Sequence, residues 1–583
     1  MTGAAKNPAL DAARQAQFKV DNCLDERRSF RLEAGAGAGK TYSLVSALQR
    51  LISERGIALT QAGQQVACIT YTLVARDAIA KAIANHPAIL VETIHAFCWS
   101  IISQFQSSLR QLLSEDAEKA EKITQGGGLG KKPILYSLGY FVVDNSTVFL
   151  SHDDVPVMMA KLIENTKFQN LIRQKFPFIF IDEYQDTDPA FMASLTRHFL
   201  ESARGPLIGL FGDHWQTIHR KDYELAALPI LGIDKGSNFR SVPAIVNVLN
   251  ELRPELRQAV SDPDAEGEAR FFHVNSYKGE KTNTPHSKND LPDDVARLVR
   301  HSLIQRLQKE GWEWDETKVL MLTHNAISAE HGYPTIADIY KGRTEKYVKK
   351  EDPAIEFLCN IVDPMCESYD RSHYGEMFSI LGRSPAIRAH SDKALWRDHM
   401  DRLLKLRKEG TIGEIIDHLK DGHKPPLPER VRRREEELQK LGDEPIPEEM
   451  GSLSRYKNLR NVRYSEVSSL ISFVNGFTPF ATQHSVKGDQ FKDVLVILGG
   501  GWNQYNWPQL FELLETKKIT STNSKGYLRS RNLFYVSVSR PMKRLAVLAT
   551  QTLPPNALKT VTRLFGADCV EQIEVAIPDK RAS

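Results

Sequence analysis

Short apolar runs, each closed by polar or hydroxyl residues and followed by a longer amphipathic stretch, recur along most of this 583-residue chain. Ser29 to Leu32 leans apolar and leads through a loop into a helical pattern from about Tyr42 to Ser53. Val66-Ala67-Cys68-Ile69-Thr70-Tyr71-Thr72 has the unbroken apolar character of a strand buried on both faces, and a helical stretch from Ala75 to Ala84 follows. A further short strand leads into Val91-Glu92-Thr93-Ile94-His95-Ala96-Phe97-Cys98. Phe178 to Ile181 and Pro206 to Phe211 repeat the pattern, and residues 319–323 and 493–498 do so again much later. Strands alternating with helices predict parallel sheets that bind ligands at the carboxyl ends of their strands. Two stretches interrupt the alternation. Residues 101–165 are helical and charged, with a glycine-rich run at 125–132 expected as a surface loop, and residues 346–470 are helix-rich, charged and broken by prolines near 424–428.

Composition narrows the class without naming it. Hydrophobic content of 41% and charged content of 26% belong to a globular chain, one long enough to need several cores. A net charge of +3 does not announce a nucleic-acid binder, so any basic surface must be local. Six scattered cysteines without a C-x-x-C pair argue against structural zinc and a disulfide framework, and fit a reducing, cytoplasmic setting. No transmembrane run is seen, so no membrane association is expected.

The chemistry gathers where strands end. Ala34-Gly35-Ala36-Gly37-Ala38-Gly39-Lys40-Thr41 reads as a phosphate-binding loop between a strand and a helix. Its glycines let successive amides point into one concavity, Lys40 brings charge toward the β- and γ-phosphates, and the Thr41 hydroxyl can ligate Mg²⁺. Tyr42 opens the following helix, whose positive end faces the same place. Upstream, Gln17 stands where it could read an adenine edge, with Gln15 as a competitor. Asp182 and Glu183 close the Phe178–Ile181 run: one can hold Mg²⁺ and the other can orient and deprotonate a water. Gln216, just past another strand, is a candidate sensor of the γ-phosphate. Tyr71, Thr72, Thr93 and His95, at two strand ends, suit a single-stranded nucleic acid, with hydroxyls for phosphates and rings for bases. The run Arg455 to Tyr464 interleaves basic and aromatic residues, as for duplex backbone or for a solvated helix face.

In this order the motifs resemble the UvrD/Rep/PcrA branch of superfamily 1 helicases, and the match continues downstream. Asn238-Phe239-Arg240-Ser241 resembles the motif in which an aromatic stacks on adenine and an arginine reaches the γ-phosphate. Thr482 to Phe491 is similar to "T-x-H-x-x-K-G-x-E-F", which implies nucleic-acid contacts at His484 and Lys487. Leu533 to Arg540 resembles "L-x-Y-V-x-x-T-R", with Arg540 as a finger. The resemblance implies an α/β fold of two RecA-like parallel-sheet domains with helical accessory insertions. Domain 1A would span 1–100 and 166–225, insertion 1B 101–165, domain 2A 226–345 and 471–560, helical insertion 2B 346–470, and a tail 561–583. It implies an ATP- and Mg²⁺-dependent 3′–5′ DNA helicase or translocase acting on single strands and single–double-strand junctions, in repair, recombination or phage defence. A separate nuclease or repair or defence partner is a further expectation.

The chain departs from the pattern in places. Leu73-Val74 stand where Asn-Lys is usual, and Gln490 stands for a sugar-contacting glutamate. His219 and Lys221 lie in the nucleic-acid stretch, Lys221 at the place of a base-stacking tryptophan, with Trp215 nearby on another register.

Overall fold

The computed structural model describes residues 7–137, 139–201, 205–218, 228–284, 287–381, 389–422, 424–442, 444–447, 450–476, 478–500 and 504–575. Two six-stranded sheets dominate. The first runs in the order Ile89–Thr93, Val66–Thr70, Phe178–Asp182, Leu207–Gly212, Phe30–Ala34, Leu231–Lys235, with every neighbouring pair parallel. The second runs Phe480–Thr482, Thr317–Met321, Phe491–Leu498, Pro541–Ala549, Glu268–His273, Val570–Gln572, again all parallel. This is the two-sheet α/β architecture expected from the alternation. Parallel pairing demands helical crossovers that cover both faces, which is why the central strands are continuous apolar runs.

Each face has its own core. In the first lobe, Phe30, Leu32, Cys68 and Phe180 pack under the helix Lys40–Gln61, while Ile69, Ile179, Ile181 and Leu210 pack against residues from the 101–165 stretch. That stretch holds a small three-stranded sheet (Ile134–Tyr136, Val142–Val143, Val148–Leu150) besides its helices, and it shares a core with the lobe that carries it. In the second lobe, Phe272, Val319, Met321 and Leu495 join one apolar core with the helices of 324–474. The opposite face packs against the helices Pro243–Leu252, Trp507–Thr516, Ser524–Val538 and Pro555–Phe565. Ala36 and Trp215 of the first lobe enter this second core, so apolar packing crosses between the lobes.

The structure corrects two expected domain limits. Leu231–Lys235 pairs with Phe30–Ala34, so the first lobe continues past residue 225 to Lys235. Its alternation of buried and exposed positions is that of an edge strand, weaker in sequence than a buried run. Of the expected tail 561–583, the described part 561–575 belongs to the second lobe, because Val570–Gln572 pairs with Phe271–His273 as the outer strand of the second sheet. Among the described residues the chain passes from sheet to sheet once, at Gly236, where a Cβ would lie 2.5 Å from the Arg257 carbonyl oxygen. The basic–aromatic run also changes meaning. Tyr456 and Tyr464 are fully buried, Arg460 pairs with Asp417 and Glu435, and the segment holds the helical region together.

Candidate functional site

The strand Phe30–Ala34 ends at the phosphate-type loop, and the helix Lys40–Gln61 starts from it. Gly37 and Gly39 take φ of 73° and 76°, a region only glycine enters without strain. A side chain at Gly37 is also excluded by space, since its Cβ would sit 2.8 Å from Arg240 Cβ. Four successive carbonyls of the loop are held from behind by the end of the edge strand Leu231–Lys235 and the segment that follows it. Asn238 Nδ2 donates to Ala36 O at 3.2 Å, the Phe239 amide to Gly37 O at 2.9 Å, Ser237 Oγ to Ala38 O at 3.1 Å, and Lys235 Nζ to Gly39 O at 2.8 Å. The Ala36 amide donates to Tyr535 Oη and the Ala38 amide to Gly35 O, both at 3.1 Å, so Gly37, Gly39 and Lys40 supply the amides that can line the other side.

Lys40 Nζ bonds both Glu183 carboxylate oxygens at 2.9 Å. Glu183 itself takes a left-handed φ of 49°, rare for a non-glycine residue, and Gln185 Nε2 donates to it at 2.5 Å. Burial would raise the Glu183 carboxyl, but the Lys40 and Lys487 ammonium groups and these hydrogen bonds hold it down at about 2. Asp182 beside it goes the other way, to about 7, through burial and the neighbouring Glu183 charge. Its Oδ1 is buried without a hydrogen-bond partner, an oxygen donor that fits a divalent cation.

The second lobe completes the pocket. Gly35 to Thr41, Gln216, Phe239, Arg240, Gly488, Gln490 and Arg540 line a cavity of about 280 Å³. Arg540 is fully buried and reaches Val536 O, Asp489 O, Ser539 Oγ and Gln216 Oε1. Arg240 bonds Gln490 Oε1 at 3.3 Å and Ser539 O at 3.0 Å. Among the described residues neither arginine meets a carboxylate, and burial with the nearby Arg240 charge lowers Arg540 to about 9. Two desolvated guanidinium groups with only neutral acceptors make a site for an anion. Phe239, an exposed ring, lines the cavity, and the exposed Tyr42 ring follows its last loop residue, Thr41. Gln17 lies on the helix Pro8–Asp25, and its Oε1 is buried and unpartnered while its Nε2 bonds Asp21.

Sequence reasoning missed the network behind Gln216. Arg253, 2% exposed and carried by the second lobe, pairs with Asp213 at 2.6 Å and Glu33 at 3.1 Å. Asp213 in turn accepts from Gln216 Nε2 at 2.7 Å, while Glu33 takes Tyr184 Oη and His214 Nδ1 at 2.6 Å each. Burial would raise Glu33, yet His214, Tyr184 and Arg253 pull it down to about 2. A buried acid near the end of the strand Phe30–Ala34 was the available signal; its partner, 220 residues away, left none. Trp215 is buried, with Arg531 at 3.8 Å over its ring and Tyr535 edge-on, so it is no open platform for a base. Replacing Arg253 with Met strands two buried carboxylates and should cost ~3–5 kcal/mol in urea denaturation. A loss below ~1 kcal/mol would mean that the hub adds little beyond packing.

The residues expected on nucleic acid divide. Tyr71 is 46% exposed. Thr72 and Thr93, at the ends of neighbouring strands, cap the helices Leu73–Ala82 and Ile94–Ile102. His95 stacks on His152, their ring centres 3.4 Å apart, and His484 Nε2 lies 2.6 Å from Tyr505 Oη. Lys487 is the correction: it forms an ion pair with buried Asp186 across the lobes instead of facing outward, because its loop crosses to the first lobe. His219 and Lys221 lie outside the described residues.

A loop of amides with its lysine, paired acids at the next strand but one, and two arginines from a second sheet define a two-lobed P-loop nucleotide enzyme. A family profile described as an AAA domain (AAA_19) matches residues 20–221. The Gabija protein GajB of Bacillus cereus (strain HuB5-5) is 23% identical over 91% of this chain and 94% of its own. RecB, the RecBCD enzyme subunit of Chlamydia pneumoniae, is 26% identical over 20% of this chain and 12% of its own. In motif order, fold and these similarities the chain is similar to the UvrD/Rep-like superfamily 1 helicases. No helix among the described residues is long and apolar enough to cross a membrane.

Proposed function

We propose that the protein is an ATP-dependent motor that moves 3′–5′ along single-stranded DNA and separates strands at single–double-strand junctions. The observation that carries this reading is a cavity at the phosphate-type loop to which both lobes contribute cations: Lys40 from one, Arg240 and Arg540 from the other. Charge shared across a cleft ties phosphate chemistry to relative motion of the lobes. Lys40 and the loop amides would hold the β- and γ-phosphates, and Phe239, Tyr42 and Gln17 the base. Thr41 and Asp182 would hold Mg²⁺, which when bound offsets phosphate charge. Glu183 would accept the proton of the attacking water once Lys40 turns to the phosphates, Gln216 would sense the γ-phosphate, and Arg240 and Arg540 would neutralise the charge that develops on it. Tyr71, Thr72, Thr93, His95 and His484 form the candidate track for the strand. Of repair, recombination and phage defence, similarity along nine-tenths of a Gabija protein supports the last.

A second reading, an ATPase subunit that regulates a separate nuclease or defence partner and unwinds weakly, draws on the rewritten grip. Leu73 and Val74 are 59% and 80% exposed on the helix where the strand would run, and Trp215 is turned inward. Unwinding of 3′-tailed and 5′-tailed duplexes by the isolated protein separates the readings. The motor predicts turnover on the 3′ tail alone. Strong ATP hydrolysis without unwinding on either tail favours the regulatory subunit, and greater stimulation by RNA than by DNA would move the substrate assignment.

A further inference from the structure

Lys235 is a second lysine of the phosphate loop that nothing in the motif pattern marks. It ends the edge strand Leu231–Lys235, paired with Ala34, in the register that turns Leu231, Ile233 and Lys235 inward and Gly232 and Asp234 outward. An apolar side chain would satisfy that register. The ammonium group is instead 1% exposed, bonded to Gly39 O at 2.8 Å and Ser43 Oγ at 2.7 Å, with the Tyr42 ring 6.0 Å away. No carboxylate lies within ion-pair distance among the described residues, and burial alone lowers the group, to about 8. A buried cation with two neutral acceptors and no counter-charge is costly unless an anion comes to it.

Its target on the loop is specific. Gly39 O belongs to the peptide whose N–H is that of Lys40, the first residue of the helix Lys40–Gln61. A cation on the carbonyl polarises that peptide and strengthens its amide as a donor. The carbonyls of Ala36, Gly37 and Ala38 are held by neutral donors; the fourth is held by a charge.

We propose that Lys235 is a positioning residue for nucleotide phosphates, acting from behind the loop through the Gly39–Lys40 peptide and supplying positive charge that the bound polyphosphate completes. The inference rests on the nucleotide-site reading above and deepens it, assigning to Lys235 a preference for polyphosphate over the bare nucleoside.

The test is competitive displacement of a fluorescent ATP analogue by ATP, ADP and adenosine at pH 7, for the full chain and for Lys235→Met, Lys235→Gln and Lys235→Arg, with nucleotide-free melting temperatures. Lys235→Met should weaken ATP and ADP about tenfold and leave adenosine within twofold, Lys235→Gln should behave alike, and Lys235→Arg should recover most of the loss. Equal losses for adenosine and ATP in both neutral variants, or no loss in either, overturn the proposal in favour of a packing role. If the parent protein, folded by its melting curve, displaces no probe with ATP, the nucleotide site itself fails, a result distinct from a variant-specific one.

Discussion

A Lys40→Ala protein is expected to fold and to lose DNA-stimulated ATP hydrolysis by ~10²-fold or more. Lys40 is the cationic side chain within the stretch Ala34–Thr41 itself, and it bonds both oxygens of Glu183. Removing it withdraws charge from the phosphates and leaves the Glu183 carboxylate with the Gln185 amide as its short hydrogen bond. The loop is gripped through its carbonyls by Ser237, Asn238 and Lys235, none of which touches the Lys40 side chain, so its shape should persist. Circular dichroism and a melting curve would check the fold, and phosphate release with and without single-stranded DNA the activity. Turnover near the parent rate in a well-folded variant would remove the loop from the chemistry.

The Arg540→Ala variant should separate binding from hydrolysis. Arg540 is buried at the lobe interface, touches only neutral oxygens and sits beside Gln216. Its charge is worth most when negative charge develops between the lobes, so nucleotide affinity should change by less than about tenfold while the hydrolytic rate falls ~10³–10⁵-fold. Equilibrium binding of a fluorescent nucleotide and single-turnover hydrolysis give the two numbers. Equal losses in both would make Arg540 a binding residue, and normal values in both would remove the finger assignment.

What could be read from the chain before its structure follows physical range. The loop from Ala34 to Thr41, the acids after Phe178–Ile181 and the arginine motifs are contiguous, because each chemistry needs its groups within a few residues at the end of one strand. Parallel strands buried on both faces, such as Val66–Thr70 and Phe178–Asp182, are legible because burial leaves them apolar up to their last residues, Thr70 and Asp182. Edge strands are not: Leu231–Lys235 alternates, and Val570–Gln572 is three residues long. Least legible were pairings that exist only once two lobes meet. Arg253 reads as a charged residue at a helix end, and Lys487 as a basic residue beside a motif, until Glu33, Asp213 and Asp186 come to them. The helix Lys40–Gln61 outran its expected end at Ser53 because its apolar stripe continues through Leu59, past Gly56.

The covalent crossing at Gly236, the one between the two sheets among the described residues, has a mechanical meaning. It follows Lys235 directly and precedes Ser237 and Asn238, which hold the loop, so the link between the two lobes lies against the proposed phosphate loop itself. A pincer hinged at its jaws travels little where it grips and far at its tips. Sub-ångström changes around a phosphate would therefore be geared up into the widest excursions at the outlying helices of 390–460, where a partner or a duplex would feel them first.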